Sequence, residues 1–410
     1  MSALRHLYTD IRYEDGRWPL SRWDLNLRYI TKSLLHVPEP RLAEDAEHFA
    51  SVARHLASDT WRHTEPQALS LCAVGDVMWI RSGFRQALSP GVRAVLADAD
   101  VAFANLETPV AASRPVPRWV YETLHYNAPP EYLDAWEGTA RHRVFSLCNN
   151  HALDQGLDGL EQTRRAVLAR PEHRCVGGPE ASQAVASLEV SGVRMGIAAV
   201  TYDINHLSGA PPAGVPVTRF GSPRHEPDWE RLGALIDAAR AAGPDLVVLM
   251  PHWGFEYEYW PEALQRQHAY RLIERGADII LGTSPHVLQP VELVSINGAD
   301  PWCPTQLRRE GAPRIGLIAW SLGNFLSIMP TRACQTGAVL QLSLSRDARG
   351  QLQPRDVRAV PTACGRGLGG AAFLDAGVMT LDELEPERAA HHLAHARRTL
   401  EPLMIAGRRK

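Results

Sequence analysis

The sequence predicts an α/β fold of packed layers with mixed sheets, and three observations lead there. From Ala68 onward, short apolar runs alternate with segments of helical spacing. Each run is bounded by Gly, Pro or Asn, as buried strands are. The later part of the chain is richer in strand than in helix, which breaks the regular alternation of an all-parallel sheet and calls for mixed sheets.

Taken in order, the run 69–74 leads into Gly75-Asp76, and a helix-like stretch occupies 92–96. The run 101–104 leads into Asn105-Leu106-Glu107, where Pro109 turns the chain. The run 144–148 leads into Asn149-Asn150-His151. Leu157, Leu160, Arg164, Val167 and Leu168 then form a helix with one apolar face, and 195–200 is a strand. Residues 209–216, rich in Pro and Gly, read as a loop. The stretch 229–242 is a helix with Gly243 as its C-terminal cap. The run 246–250 leads into Pro251-His252. A helix starts at Pro261 and ends before Gly276. Ile279–Leu281 leads into Gly282-Thr283-Ser284-Pro285-His286, and further strands occupy 315–320 and 339–344. The Gly-rich stretch 363–370 lacks the Gly-Lys-Ser/Thr ending of a phosphate loop and receives no nucleotide role.

This order divides the 410 residues into an N-terminal extension over 1–67, a main domain over 68–375, and a C-terminal helix with a basic tail over 376–410. The extension interleaves Tyr8, Tyr13, Trp18, Trp23 and Tyr29 with charges. Ala46, Phe49, Val52 and Leu56 give it one helical apolar face. It either packs on the core as a helical lid or serves as a binding arm. In the tail, His391, His392 and His395 fall in a charged pattern and are expected to be solvated.

A hydrophobic fraction of 45% supports a large core. A net charge of -3 gives no argument for nucleic acid as a partner. No apolar run approaches the roughly 20 residues of a membrane span, and the first 38 residues hold no signal-like stretch, so stable membrane insertion is not expected and the location is expected to be cytoplasmic. The six scattered cysteines form no CxxC pair, so neither a cysteine zinc site nor a disulfide framework is expected.

Asp76, Glu107, Asn150–His151, His252 and His286 share one kind of place: each comes after a strand-like run. Ligands of open α/β sheets bind beyond the carboxyl ends of strands, so these side chains can converge on one centre. Two acids, an amide and imidazoles suit a metal combined with acid–base chemistry. Asp76 alone could equally be a helix cap. Asp154 either orients His151 or caps the next helix. Trp253, Glu256 and Tyr257, just after His252, are expected to line the same pocket.

Six motifs in order make the resemblance specific: Gly-Asp-Val-Met (75–78), Asn-Leu-Glu-Thr-Pro (105–109), Asn-Asn-His-Ala-Leu-Asp-Gln-Gly (149–156), His-Trp-Gly-Phe-Glu-Tyr (252–257), Pro-His-Val-Leu-Gln (285–289) and Ser-Leu-Gly-Asn-Phe (321–325). Over residues 69–344 the chain resembles the CapA family, named for poly-γ-glutamate capsule synthesis, within the metallophosphatase-like superfamily. The resemblance implies a four-layer sandwich of two mixed β-sheets flanked by helices. It also implies metal ligation by Asp76, Glu107, Asn150, His252 and His286, acid–base roles for His151 and His286 beside Asp154, and Asn324 in the substrate pocket. Two departures are visible. Met78 stands where dinuclear phosphatases carry a histidine, and Thr283 and Ser284 stand where many CapA proteins carry two more. Hydroxyls suit a hard cation, so one Mg, Ca or Mn ion is expected rather than two.

The resemblance implies a metal-dependent enzyme acting on a peptide or polyglutamate substrate, alongside a synthase partner. Two alternatives stay open. One is a peptide Cα epimerase of a ribosomal peptide pathway, in which a metal-stabilised enolate would serve. The other is a non-catalytic accessory protein of polymer synthesis that binds polymer or synthase. A simple phosphatase ranks behind these.

Overall fold

The computed structural model describes residues 36, 38–40, 42–58, 60–117, 125–205, 207, 209–221, 225–368 and 376–404. Most of the extension, including its Tyr and Trp residues up to Tyr29, and the end of the basic tail lie outside the described residues.

The helices are α1 (Ala43–Ala57), α2 (Pro90–Ala97), α3 (Gly156–Leu168), α4 (Trp229–Arg240), α5 (Ala263–Arg275) and α6 (Pro386–Leu400). The first strands are β1 (Gln67–Met78), β2 (Val101–Glu107), β3 (His142–Ser146), β4 (His173–Val176), β5 (Val185–Val190), β6 (Val193–Thr201), β7 (Leu246–His252) and β8 (Ile279–Leu281). The later strands are β9 (Val291–Ile296), β10 (Gln306–Leu307), β11 (Arg314–Ala319), β12 (Asn324–Leu326), β13 (Thr336–Arg346), β14 (Leu352–Arg366) and β15 (Ala376–Thr380). The first sheet runs β15-β14-β13-β1-β2-β3-β4, with β12 also beside β1, and the second runs β10-β9-β11-β8-β7-β6-β5. Both mix parallel and antiparallel pairs: β1-β2-β3-β4 are parallel while β13 joins β1 antiparallel, and β6-β7-β8 are parallel while β9 and β11 are antiparallel.

The two sheets pack face to face. Leu71, Phe103, Leu340 and Leu342 of the first meet Val248, Ile279 and Leu281 of the second. The outer faces carry helices: α2, α3 and α6 lie against the first sheet, and α4 against β5 and β6 of the second. This is the expected two-sheet sandwich with helices outside. Burial of the inner strands on both faces explains why β7, β8 and β11 read as continuous apolar runs, all of whose residues are buried.

The helix expected over 43–57 is present, and Phe49, Val52 and Leu56 join the main hydrophobic cluster. Arg266 donates to Asp45 at 2.5 Å, and His55 Nε2 lies 2.7 Å from Asp300 Oδ2, so α1 is bound to the second sheet and its loops. Strand β15 completes the first sheet from within the segment read as tail. The helix expected from Pro261 begins two residues later, with Glu262 at its cap position. Gly276 ends it with φ 139°, a value that favours glycine, and its N–H reaches back to Leu272 and Ile273.

One expectation about the tail is corrected. His392 is buried rather than solvated, because its Nδ1 meets Thr336 Oγ1 at 2.8 Å on β13. His395 stacks on Tyr259, whereas His391 is exposed as expected. Among the described residues, no helix is long and apolar enough to cross a membrane.

Candidate metal centre

The centre forms where strands of both sheets end. Asp76 sits beside Asn105 on β2 and Asn324 on β12. Its backbone N–H donates to Gly323 O at 3.0 Å. That approach is possible only because residue 75 is glycine: a Cβ there would lie 1.8 Å from Gly323 O. Gly75→Ala is therefore expected to lower stability by about 3 kcal/mol, the upper end of overpacking costs. Chemical denaturation measures it, and an unchanged midpoint would refute the crowding argument.

Asn105 and Glu107 lie two residues apart on β2 and so project to the same face. His252 ends β7, and Thr283 bridges to it after β8. Ligand-type atoms of Asp76, Glu107 and His252 all lie within 4.8 Å of one another, and the three residues are buried. His252 Nε2 is 3.6 Å from Glu107 Oε1, and its Nδ1 is 3.9 Å from Asp76 Oδ1. Both carboxylate oxygens of Glu107 are buried without a hydrogen-bond partner, and so is Asn150 Oδ1. A buried carboxylate in that state needs a proton or a cation. Two carboxylates and an imidazole fit a hard to borderline divalent ion.

Around this core the side chains hold one another. Asn105 Nδ2 donates to Asp76 Oδ1 at 2.8 Å and lies 3.2 Å from His252 Nδ1. Thr283 Oγ1 lies 3.1 Å from the same nitrogen. His286 Nδ1 lies 2.9 Å from Asn324 Oδ1 and 3.2 Å from Asp76 Oδ2. Tyr257, Ser284 and His286 adopt φ values of 65°, 102° and 59°. Such values are uncommon outside glycine, and strained residues of this kind gather at functional sites.

Residues 70–329 match a family described as bacterial capsule synthesis protein PGA_cap. The chain belongs to that family. Its relatives include the PGA biosynthesis protein CapA of Bacillus subtilis (strain 168), 28% identical over 54% of this chain and 52% of that protein. The capsule biosynthesis protein CapA of Bacillus anthracis is 28% identical over 69% of this chain and 66% of that protein. The chain thus spans about half the length of the Bacillus subtilis relative. Among solved structures, the NAD nucleotidase NadN of Haemophilus influenzae is similar over 82% of this chain and 63% of that chain, with 12% identity and a TM-score of 0.42.

The electrostatics of this PGA_cap site divide its groups. For Asp76, burial alone would raise the carboxyl, but the hydrogen bond and charge of His286, then His252 and Asn105, hold it below the usual range. Burial, then the charge of Asp76, pushes Glu107 well above it. Burial opposes protonation of His286 but is outweighed by Glu107 and Asp76, which bring it up to about 10. Burial brings His252 down to about 3. Burial thus favours the neutral ring at His252, whereas the two carboxylates favour the protonated ring at His286.

The remaining expected residues take different places. His151 Nδ1 lies 2.7 Å from Asp154 Oδ2, and Gln155 holds the cap position of α3, so Asp154 orients His151 and does not cap. Asn150 is half-buried beside them. His286 adjoins the three-residue cluster through Asp76, 3.2 Å from its Nδ1, without being part of the group whose ligand atoms all lie within 4.8 Å of one another. Asn324 is fully buried; its amide donates to Cys334 O at 2.9 Å while its oxygen faces His286, so it positions that imidazole. Trp253 is corrected: its indole is fully buried, stacked on Trp320 and donating to Trp320 O at 3.1 Å, which makes it core. Tyr257 is nearly buried, its ring 6.5 Å from that of His286, and Glu256 is half-buried next to it.

Three contributors are not marked as site residues by the sequence alone. Asn105 has one available signal, its place two residues before Glu107 on a strand. Asn149 donates to Asn105 Oδ1 at 3.1 Å and fixes which way that amide points. Tyr126 stacks on His151 at 3.9 Å, and its N–H donates to Asp154 at 2.6 Å, a contact across 28 residues that local sequence does not reveal.

Proposed function

We propose that this chain is a divalent-metal-dependent enzyme acting on a peptide or poly-γ-glutamate type substrate. The observation that carries the reading is Glu107: fully buried, with both oxygens unpartnered, and grouped with Asp76 and His252. Asp76, Glu107 and His252, joined by Asn150, would hold one Mg, Ca or Mn ion. When bound, such an ion supplies Lewis acidity toward a substrate carbonyl.

The chain's own residues supply the rest. The Thr283 hydroxyl can accept from His252 Nδ1–H and set that ring, as the acceptor behind a ligating imidazole does. Asp154 holds His151 Nδ1, which leaves Nε2 to take up or release a proton at the substrate. His286, cationic against Asp76, places positive charge where negative charge develops at the reacting carbonyl. Family membership in capsule synthesis supports a polyglutamate substrate.

The test pairs metal analysis with polymer turnover. Purified protein is assayed for bound metal, and poly-γ-glutamate is monitored by size and by newly released amines. Metal-dependent shortening of the polymer is expected. Asp154→Asn is expected to slow it about 10–100-fold, the usual cost of removing an orienting partner, with metal content unchanged. A chain that takes up no divalent metal, or that leaves the polymer unchanged when loaded, would overturn the proposal. Polymer binding without turnover would point instead to the accessory reading.

A further inference from the structure

Helix α6 carries its charges unevenly. Its 15 residues hold Arg388, Arg397, Arg398 and three histidines against a single acid, Glu387. Glu387 lies in the first turn, where a carboxylate suits the helix N-terminus. Arg388, His391, His395 and Arg398 recur at helical spacing, so they share one flank of the helix. From Arg388 to Arg398 that stripe is about 15 Å long. Arg388, His391 and Arg398 are exposed, and His395 is half-buried.

Neighbouring elements add to the stripe rather than neutralise it. Arg332, exposed in the turn before β13, is fixed beside α6: Thr336 Oγ1 donates to Arg332 O at 2.7 Å and lies 2.8 Å from His392 Nδ1. The Arg398 guanidinium lies 4.9 Å from the centre of the Tyr259 ring, which stacks on His395. Burial, then Arg398, Arg332 and His391, holds His395 below its ordinary value. Among the described residues, no carboxylate pairs with Arg332, Arg388 or Arg398. Exposed arginines of other helices do find one, as Arg165 finds Glu161 within α3 and Arg275 finds Asp237 between α5 and α4. Like charges one turn apart destabilise a helix, and a partner of opposite sign relieves that cost.

The stripe lies at the metal-bearing end of the first sheet. Thr336 begins β13, and a short segment runs between β13 and Asp76: the Ala338 N–H donates to Leu322 O, and Asn324 pairs with Asp76. Two strand spacings, roughly 10 Å, therefore separate Thr336 from Asp76. Tyr259, under Arg398, shares a cluster with Tyr257, whose ring is 6.5 Å from that of His286.

We propose that Arg388, His391, His395 and Arg398 of α6, together with Arg332, form a docking track that guides an acidic polymer, one with a carboxylate on every residue, to the metal centre. The choice of polymer rests on the function proposed above; the charge and placement of the track do not. Such a polymer engages several exposed cations at once, so contacts that are weak singly add along the chain. A short glutamyl peptide cannot gain in this way.

Fluorescence anisotropy of labelled poly-γ-glutamate tests this on the full chain, in wild type and in Glu107→Gln, which disables the centre and keeps the polymer intact. Saturable binding that weakens with salt is expected in both. Arg388→Gln combined with Arg398→Gln should weaken it about tenfold in both backgrounds, since each exposed ion pair is worth a few-fold. Arg397→Gln, turned about 100° from Arg398, should bind as before. On the unsubstituted chain the polymer should shield Arg388 and Arg398 from phenylglyoxal, read by peptide mass, and γ-glutamylglutamate should not. No saturable binding, binding indifferent to the double variant, or binding lost with Glu107→Gln would each overturn the proposal. So would tighter binding of an oligodeoxynucleotide of equal charge, which would make the stripe a nucleic-acid surface. Polymer that binds as expected but is never turned over would overturn the enzymatic reading alone.

Discussion

Glu107→Gln is expected to weaken divalent-metal binding by far more than the roughly 10–100-fold that changes around a metal site cost. The side chain keeps its shape and stays on β2, between Asp76 and His252. What disappears is the negative charge, in a place where no protein group satisfies either oxygen. The same change has the opposite effect on the metal-free fold. Burial and the neighbouring Asp76 already disfavour the Glu107 carboxylate, so a neutral amide removes that repulsion. Metal-free Glu107→Gln should melt at or above wild type, yet gain nothing on adding Mn. Wild type at a hundredfold excess of metal over its Kd should gain about 2.7 kcal/mol by mass action. Thermal unfolding across a metal series, with elemental analysis, measures both halves. A variant whose metal affinity stays within tenfold of wild type would remove Glu107 from the centre.

The second large effect lies away from the site. Asp278, just before β8, is 5% exposed and accepts from Arg314 Nη1 at 2.6 Å, Arg240 Nη2 at 2.9 Å and the Val247 N–H at 2.7 Å, with Arg309 as a further partner. Breaking a buried ionic cluster by removing one partner costs about 3–5 kcal/mol, because the opposing charges stay behind. Asp278→Ala removes the shared counter-charge of three guanidinium groups, leaving them only Gly276 O, Ile273 O, Ala277 O and the Gln351 amide oxygen as acceptors, and should fall in that range by urea unfolding. Burial opposes the charge of Asp278, but Arg309, Arg314 and Arg240 outweigh it and hold the carboxyl below its ordinary value. A carboxyl depressed on folding adds stability that is present above its unfolded pKa and is lost as pH falls through the folded one. Asp278→Asn should therefore flatten the acid limb of the stability profile. A variant that keeps the wild-type acid limb, or loses less than about 1 kcal/mol, would show that the arginines find other partners.

Much of the site is legible in the sequence because strands buried on both faces are continuous apolar runs, and a polar residue placed directly after such a run stands out. Asp76, Glu107, His252 and His286 are all visible in that way. Less legible are features fixed by distant partners. Strand β14 is long but carries Pro354, Arg355, Asp356 and Pro361, and it is held in register by β13 and β15 rather than by its own pattern. His392 reads as solvated because Thr336, its partner, is 56 residues away. Trp253 comes directly after a ligand-type histidine and so reads as pocket, yet side chains alternate along an extended chain, and its ring turns into the core onto Trp320. Asp154 has two local readings, and only the position of the His151 ring separates them.

The packing between the sheets has a role beyond stability. Asp76 and Glu107 ride on one sheet and His252 on the other, so the aliphatic layer around Leu71, Phe103, Val248 and Leu342 acts as a ruler that sets how far apart the donors stand. A methylene added or removed in that layer would tilt one sheet against the other and be read out as a change in metal preference. On the function proposed above, cation choice would be tuned in part by residues that never touch a cation.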